Sequence, residues 1–151
     1  MGAPVARLTW SDVLGLSLTL AEEVRRERVD AIVAVLRGGI YPALIIAARL
    51  NVERVYAVEF RRREAGLAAE PGGGPKPVRD EVPQLAGGRV LVVDDVAVTG
   101  STLRAAKELV KSKGAGEVKT AVLVVRTGQL VERPDFYALF LPAHPLFPWE
   151  Q

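Results

Sequence analysis

The stretch VLVVDDVAVTGST, residues 90–102, decides the fold of this 151-residue chain. Its four leading apolar residues are typical of a strand buried on both faces of a parallel sheet. Asp94 and Asp95 follow at once, and the small polar residues 99–102 lead into a predicted helix from about Ser101 to Lys113, with Gly114 as its stop signal. A strand, a short polar loop and a helix in this order indicate an α/β protein.

The rest of the chain repeats this alternation of apolar runs and amphipathic segments. Helices are predicted from Thr9 or Ser11 to about Arg28 and from near Pro42 to about Leu50. Further strands are predicted at residues 31–36, 54–60 and 118–125, with an edge strand at 135–141. We therefore expect an α/β fold in a single domain, residues 1–151, with a doubly wound, mostly parallel sheet.

Two segments differ in composition from the predicted core. Residues 61–88 contain Gly72-Gly73-Gly74, four prolines and few large apolar residues, which predicts a long loop with room for one short strand. Loops of this length in a compact domain are usually functional or mobile, and a disordered insertion is the alternative. The tail, residues 134–151, is rich in proline and aromatic residues.

Composition excludes several kinds of site and partner. The chain has no cysteine, so disulfides, thiolate metal sites and a cysteine nucleophile are excluded. A net charge of +2 is too small to indicate nucleic-acid binding. The opening MGAPVARLTW lacks a signal-peptide pattern and no apolar run is long enough to span a membrane, so we expect a cytoplasmic protein without a membrane or nucleic-acid partner.

The candidate site lies where two predicted strands end, because open α/β sheets bind ligands beyond the carboxyl ends of their strands. Arg37-Gly38-Gly39 follows one strand and residues 94–102 follow another. Backbone N–H groups of residues 99–102 at a helix start would bind a phosphate, with Gly100 allowing close approach. Ionised Asp94 and Asp95 accept hydrogen bonds only, which suits sugar hydroxyls or a hydrated Mg²⁺.

A phosphate cradle beside an acid pair therefore indicates a ribose phosphate ligand. A strand end followed by an ordinary helix cap would explain one acid but not two. A receiver domain carries its acid pair on the first strand, and the P-loop pattern G-x-x-x-x-G-K-[ST] is absent.

Three stretches resemble one family. VLVVDDVAVTGST resembles the ribose-phosphate signature of type I phosphoribosyltransferases, and LRGGIYPALIIAARL (residues 36–50) resembles their pyrophosphate-loop region. PDFYALFLPAHPLFPWEQ (residues 134–151) is similar to the ends of the short 6-oxopurine phosphoribosyltransferases, which bind xanthine, guanine or hypoxanthine. The similarity spans nearly the whole chain.

The resemblance implies a reaction in which a nucleobase nitrogen displaces pyrophosphate from C1 of phosphoribosyl pyrophosphate (PRPP), with Mg²⁺ on the diphosphate. Asp94, Asp95 and Arg37 would be the catalytic residues, and either aspartate could also reach Mg²⁺ through water. Arg37, Gly38 and Gly39 would bind pyrophosphate. The ribose-phosphate half would be bound by Asp94, Asp95, Val96, Ala97, Val98, Thr99, Gly100, Ser101 and Thr102.

The resemblance also implies a mobile hood loop and an oligomeric protein. The family's hood corresponds in position to residues 61–88, where the basic residues Arg61, Lys76 and Arg79 could contact pyrophosphate. Family members are commonly dimers or tetramers, so we expect a homodimer or homotetramer. Phe147 and Trp149 are expected to pack the tail onto the body of the domain.

The base side departs from the 6-oxopurine pattern at three positions. Val98 stands where an aspartate handles the proton of the purine N7, and Arg126 stands where a lysine reads O6. His144, next to Pro145, stands where an aromatic residue stacks on the base. These four residues are the candidate base-binding residues. We predict a Mg²⁺-dependent purine phosphoribosyltransferase of purine salvage, with two alternatives: a non-catalytic PRPP- or nucleotide-binding regulator, or a transferase for adenine, a pyrimidine or another base.

Overall fold

The computed structural model describes residues 4–61, 74–126 and 128–151. Its main sheet has six strands in the order β4-β3-β2-β5-β6-β7, all parallel except the edge strand β4. The strands of the described residues are β1 Val5–Arg7, β2 Ala31–Leu36, β3 Arg54–Phe60, β4 Pro77–Asp80, β5 Arg89–Ala97, β6 Glu117–Val125, β7 Phe136–Phe140 and β8 His144–Leu146. The predicted mostly parallel α/β fold is confirmed.

Helices cover both faces of the sheet, as a doubly wound fold requires. α1 (Trp10–Val24) and α2 (Ile40–Leu50) pack on one face, and α3 (Ser101–Ser112) packs on the other. β2 is buried from both sides because its alternate residues contribute to two separate apolar clusters. The carboxyl ends of β2 and β5, which are neighbours in the sheet, therefore open at the same edge.

Local sequence explains where α1 begins and ends. Thr9 caps the helix: its hydroxyl accepts from the Asp12 N–H at 3.0 Å, and the Asp12 carboxylate accepts from the Thr9 N–H at 2.8 Å. The helix ends at Val24, earlier than predicted, since a 3₁₀ turn follows and Arg28 adopts a left-handed φ of 52°.

β5 is longer than the sequence predicts. It runs to Ala97, and its pairing with β6 continues through Asp94 opposite Val122 and Ala97 opposite Val125. Asp94 and Asp95 therefore lie inside the last part of a paired strand rather than beyond its end. Their backbone is held by the ladder, which fixes the two carboxylates more firmly than a loop would.

The predicted loop 61–88 contains the one short strand for which its sequence left room. Residues 62–73 lie outside the described residues. The following segment forms β4, antiparallel to β3, and Val82 is buried. Lys113 makes an ion pair with Asp80 at 2.9 Å, and the Leu85 N–H donates to the Lys113 carbonyl at 2.6 Å. The part after β4 is thus anchored to the end of α3.

The tail is held by a second sheet that the sequence analysis missed. β8 pairs in parallel with β1, with Val5 opposite His144 and Ala6 opposite Pro145. Strands of three residues carry too little periodicity to be recognised in a sequence. Phe147 is buried and Trp149 stacks on it, so both residues pack the tail onto the domain as expected. No helix among the described residues is long and apolar enough to cross a membrane.

Candidate functional site

The loop between β2 and α2, residues 37–39, packs directly against β5; we call it the glycine loop. A Cβ on Gly38 would overlap the carboxylate of Asp95. A Cβ on Gly39 would lie 2.5 Å from the carbonyl oxygens of Val35 and Val93. Arg37, the first residue of the loop, is exposed. The two glycines are therefore required for close approach, and the structure brings Arg37-Gly38-Gly39 to the predicted acid pair.

The acid pair divides between two sides of the site. Asp94 lines a cavity beside α3, whereas Asp95 faces Gly38 on the α2 side. The Asp94 carboxylate accepts from the Asp95 N–H at 2.8 Å, and the Asp95 carboxylate accepts from the Val96 N–H at 2.8 Å. One acid is therefore directed toward the helix start and the other toward the glycine loop.

Asp95 sits in an environment that disfavours its negative charge. Burial raises the pKa of its carboxyl, and repulsion from Glu150 acts in the same direction. A hydrogen bond with the Asp94 side chain and the one from the Val96 N–H oppose this rise in pKa without cancelling it. A hydrogen-bond donor or a cation beside this carboxyl would stabilise its ionised form. A ribose hydroxyl is such a donor, and Mg²⁺ is such a cation.

The loop before α3, residues 98–100, forms a helix start suited to an anion; we call it the Thr-Gly loop. Gly100 is the N-cap residue, with a left-handed φ of 84°. The Thr99 hydroxyl accepts from the Ser101 N–H at 3.2 Å and lies 3.0 Å from the Ser101 hydroxyl. Amides in the first turn of a helix have no acceptor within the helix. They border a cavity of about 130 Å³ lined by Asp94, residues 96–100, Thr102 and Leu103.

A second loop, residues 128–133, holds the Thr-Gly loop from outside; we call it the crossover loop. The Val131 N–H donates to the Thr99 carbonyl at 2.9 Å, and the Arg104 guanidinium donates to the Val131 carbonyl. Lys107 pairs with Glu132 at 3.2 Å. A Cβ on Gly100 would overlap the Glu132 backbone. Sequence reasoning missed these residues, because no motif marks a loop that acts through backbone contacts.

The predicted base-side residues are brought together only in part. The Arg126 N–H donates to the Ala97 carbonyl at 3.1 Å, which places Arg126 next to Val98. Val98 is 45% exposed, and Arg126 Nε is buried with no hydrogen-bond partner among the described residues. His144 is exposed on β8, while Pro145 is buried opposite Ala6, which favours a packing role for the proline.

The acidic side chains of the site fit a metal ion whose coordination comes mainly from a bound substrate and water. The described residues contain no group of three or more His, Cys, Asp or Glu side chains able to hold a metal. Mg²⁺ characteristically binds through one or two carboxylates together with water and substrate phosphates. Asp94 and Asp95 could supply that part of its coordination.

A larger depression of about 470 Å³ lies at the opposite edge of the sheet, lined by Arg28, Asp30, Gly88, Arg89, Gly116 and Glu117. It is formed by the amino ends of β2, β5 and β6. Open α/β sheets bind ligands at the carboxyl ends of their strands, and the acid pair and both glycine-containing loops are there. We therefore place the functional site at the smaller cavity.

Comparisons with known proteins show which family the chain belongs to. The profile of the phosphoribosyl transferase domain family matches residues 11–150. The orotate phosphoribosyltransferase of Carboxydothermus hydrogenoformans is 33% identical over 126 residues, which cover 82% of this chain and 58% of that protein. The chain thus spans little more than half the length of this relative.

Solved structures resemble the chain over nearly its full length. A purine phosphoribosyltransferase from Pyrococcus horikoshii superposes with a TM-score of 0.84 at 31% identity, covering 97% of this chain and 94% of that one. A xanthine-guanine-hypoxanthine phosphoribosyltransferase from Helicobacter pylori superposes with a TM-score of 0.80. That structure is 19% identical, covers 99% of this chain and 94% of its own, and shows the shared fold alone.

Proposed function

This chain belongs to the phosphoribosyl transferase domain family, and we propose that it transfers the ribose 5-phosphate of PRPP to a nucleobase with release of pyrophosphate. One observation carries the proposal. The glycine loop, the acid pair and the start of α3 meet at the carboxyl ends of the neighbouring strands β2 and β5. Pyrophosphate, ribose and 5′-phosphate are joined in this order in PRPP, and the three features follow in the same order across the site.

The 5′-phosphate is assigned to the Thr-Gly loop and the first turn of α3. The amides at the start of a helix and the helix dipole favour an anion there. The hydroxyls of Thr99, Ser101 and Thr102 add donors. The crossover loop fixes the backbone of Thr99, so these donors are arranged before the ligand binds.

The ribose and the pyrophosphate are assigned to the other two features. Asp94 and Asp95 accept hydrogen bonds from the ribose hydroxyls, and Arg37 with the amides of the glycine loop binds the pyrophosphate. Arg61, Lys76 and Arg79 lie around the end of β3 and the start of β4; the Arg61 N–H donates to the Lys76 carbonyl at 3.2 Å. Their charges favour a diphosphate at this edge.

The chemical step is a displacement at C1 of the ribose. A base nitrogen donates its electron pair to C1, the bond from C1 to the pyrophosphate oxygen breaks, and the electron pair leaves with pyrophosphate. The base nitrogen loses its proton in the process. Positive charge develops on the ribose, and the carboxylates of Asp94 and Asp95 stabilise it. Mg²⁺ bound to the diphosphate would neutralise negative charge on the leaving group.

For the base we propose a purine with an acceptor atom facing Arg126. Arg126 Nε is buried without a hydrogen-bond partner among the residues that the structure describes, which is costly, so a carbonyl oxygen of a ligand would stabilise it. His144 is exposed and free to stack on a base. Val98 cannot accept a proton, so deprotonation of the base would fall to water or to the pyrophosphate.

A pyrimidine carrying a carboxylate is the second candidate, because an arginine binds a carboxylate through two parallel hydrogen bonds. The similarity to orotate phosphoribosyltransferases supports this candidate. A third is a regulator that binds PRPP or a nucleotide without turnover, which the missing acid at Val98 favours.

A single assay separates these candidates. The protein is incubated with PRPP, Mg²⁺ and one base at a time (guanine, hypoxanthine, xanthine, adenine, orotate or uracil), and nucleotide formation is followed by chromatography. Product with a 6-oxopurine supports the purine assignment, and product with orotate alone supports the second candidate. PRPP binding without product from any base would support the regulator, and the Asp94→Asn, Asp95→Asn double variant should lose PRPP binding.

A further inference from the structure

The turn Pro148–Glu150 packs its tryptophan against the start of α2. The Trp149 ring lies between two other rings, stacked on Phe147 at 4.6 Å and 4° and on Tyr41 at 4.4 Å and 16°. Trp10 and Tyr41 form a T-shaped pair with ring centroids 5.2 Å apart. Phe147 is only 1% exposed, so the stack is fixed to the apolar core at one end and reaches Tyr41 at the other.

Tyr41 is the second residue of α2 and stands two residues after Gly39. The helix start and the glycine loop are one hydrogen-bonded unit: the Ile40 N–H donates to the Arg37 carbonyl at 3.1 Å and the Ala43 N–H to the Gly39 carbonyl at 3.1 Å. A shift of Tyr41 would therefore shift the glycine loop. Since Gly38 and Gly39 have no spare room against Asp95 and Val93, even a small shift would change their contact with the acid pair.

The same turn carries Glu150, whose negative charge is close enough to contribute to the raised pKa of Asp95. The residues on either side of the turn are held by several hydrogen bonds. The Gln151 side-chain amide donates to the carbonyls of Leu8 and Leu146 at 2.9 and 3.1 Å, and the His144 N–H donates to the Pro4 carbonyl at 2.8 Å. Because β8 is also paired with β1, the turn is held in place and can support Tyr41, which its tryptophan contacts.

We propose that Trp149 is a positioning residue which, through Tyr41, holds the glycine loop in its pyrophosphate-binding geometry. This inference rests on the proposed function and deepens it, because it places a determinant of pyrophosphate affinity in the tail. Because Trp149→Ala also removes the area that the ring buries, Trp149→Phe, which keeps a ring in place, separates the lost contact with Tyr41 from a general loss of stability.

The experiment compares two ligands that together make up PRPP. Affinities of wild type and Trp149→Ala for inorganic pyrophosphate with Mg²⁺, and separately for ribose 5-phosphate, are measured by calorimetry. We expect pyrophosphate affinity to fall roughly three- to tenfold, the change that one aromatic contact would produce, while ribose 5-phosphate affinity stays within about twofold. Trp149→Phe should restore most of the loss because a phenyl ring can still stack on Tyr41.

Unchanged pyrophosphate affinity in Trp149→Ala, or an equal loss for both ligands, would overturn the inference. If wild type binds neither ligand, the proposed function fails instead. Tyr41→Leu should reproduce the pyrophosphate-specific loss, and the double variant should lose no more than either single one, since both remove the same contact. Leu44→Ala is the control: Leu44 is 52% exposed on the same helix and its change should leave both affinities as they are.

Discussion

The backbone of Gly38 and the side chain of Asp95 are in such close contact that a methyl group on Gly38 would overlap the Asp95 carboxylate. The contact joins the loop after β2 to the strand β5. The geometry of the glycine loop and the orientation of the Asp95 carboxylate therefore cannot vary independently.

Gly38→Ala should weaken PRPP binding. The added Cβ must displace either the Asp95 carboxylate or the glycine loop, and both belong to the proposed site. We expect at least a tenfold weaker affinity for PRPP, equivalent to about 1.4 kcal/mol, measured by calorimetry.

The control for this variant is Gly15→Ala in the exposed part of α1, where a Cβ meets nothing within 4 Å. That substitution should leave PRPP affinity unchanged and stabilise the protein by roughly 0.5–1 kcal/mol, because alanine loses less backbone entropy in a helix than glycine. Equal PRPP affinity in Gly38→Ala and Gly15→Ala would contradict the predicted role of the glycine loop.

Gly100→Ala should reduce stability and ligand binding more than Gly87→Ala does, although both glycines have a left-handed φ, 84° at Gly100 and 78° at Gly87. A Cβ at Gly87 meets nothing within 4 Å, so only the backbone penalty of about 1–2 kcal/mol applies. At Gly100 the Cβ also overlaps the Glu132 backbone and would separate the Thr-Gly loop from the crossover loop.

Chemical denaturation and ribose 5-phosphate binding measure the difference between these two variants. We expect Gly87→Ala to keep wild-type affinity and Gly100→Ala to lose it. If both variants lose stability equally and bind alike, the crossover loop does not support the phosphate site.

Asp95→Asn should stabilise the protein relative to wild type, and this difference should grow as pH rises. Because burial raises the pKa of Asp95, its neutral form favours the fold below the pKa of the unfolded chain, and this stability is lost as pH increases through the folded pKa. Asparagine stays neutral throughout, so the thermal midpoint of Asp95→Asn should exceed that of wild type at about pH 7.5 and approach it at about pH 4.

Glu150→Gln provides the matched comparison, since it removes one source of repulsion but keeps an acceptor for the Phe147 N–H. Its effect should have the same sign and be smaller, because burial is the larger cause. A stability difference between Asp95→Asn and wild type that does not depend on pH would count against a raised Asp95 pKa.

Val98→Asp should raise turnover of hypoxanthine or guanine. Val98 is 45% exposed, so an aspartate there can ionise and accept a proton from the base. General-base catalysis typically contributes about 10²–10⁴-fold, and we expect a gain in kcat/KM at the low end of that range. Val98→Asn has the same shape without proton transfer and should show no gain. A lack of gain in the aspartate variant as well would argue that Arg126 and His144 serve a different base.

Local patterns accounted for much of the fold and part of the site. The strands at residues 31–36 and 54–60 have the bounds the sequence predicts, because a continuous apolar run specifies the first locally and a segment rich in β-branched and aromatic residues specifies the second. Asp94, Asp95 and Gly100 were singled out on the same kind of local evidence, residue type and spacing, and their roles in ligand binding stay predictions. The extension of β5 to Ala97 was missed because pairing with β6, not propensity, carries the strand past the acids.

The sequence by itself determined the α/β class, the acid pair and the helix start that suits a phosphate, since each depends on residues close together in the chain. Only the tertiary structure decided that Gly38 touches Asp95, that the crossover loop holds Thr99, and that Trp149 stacks on Tyr41. These contacts join residues far apart in sequence, and they form because the parallel strand order and the pairing of β1 with β8 bring separate segments to one edge of the sheet.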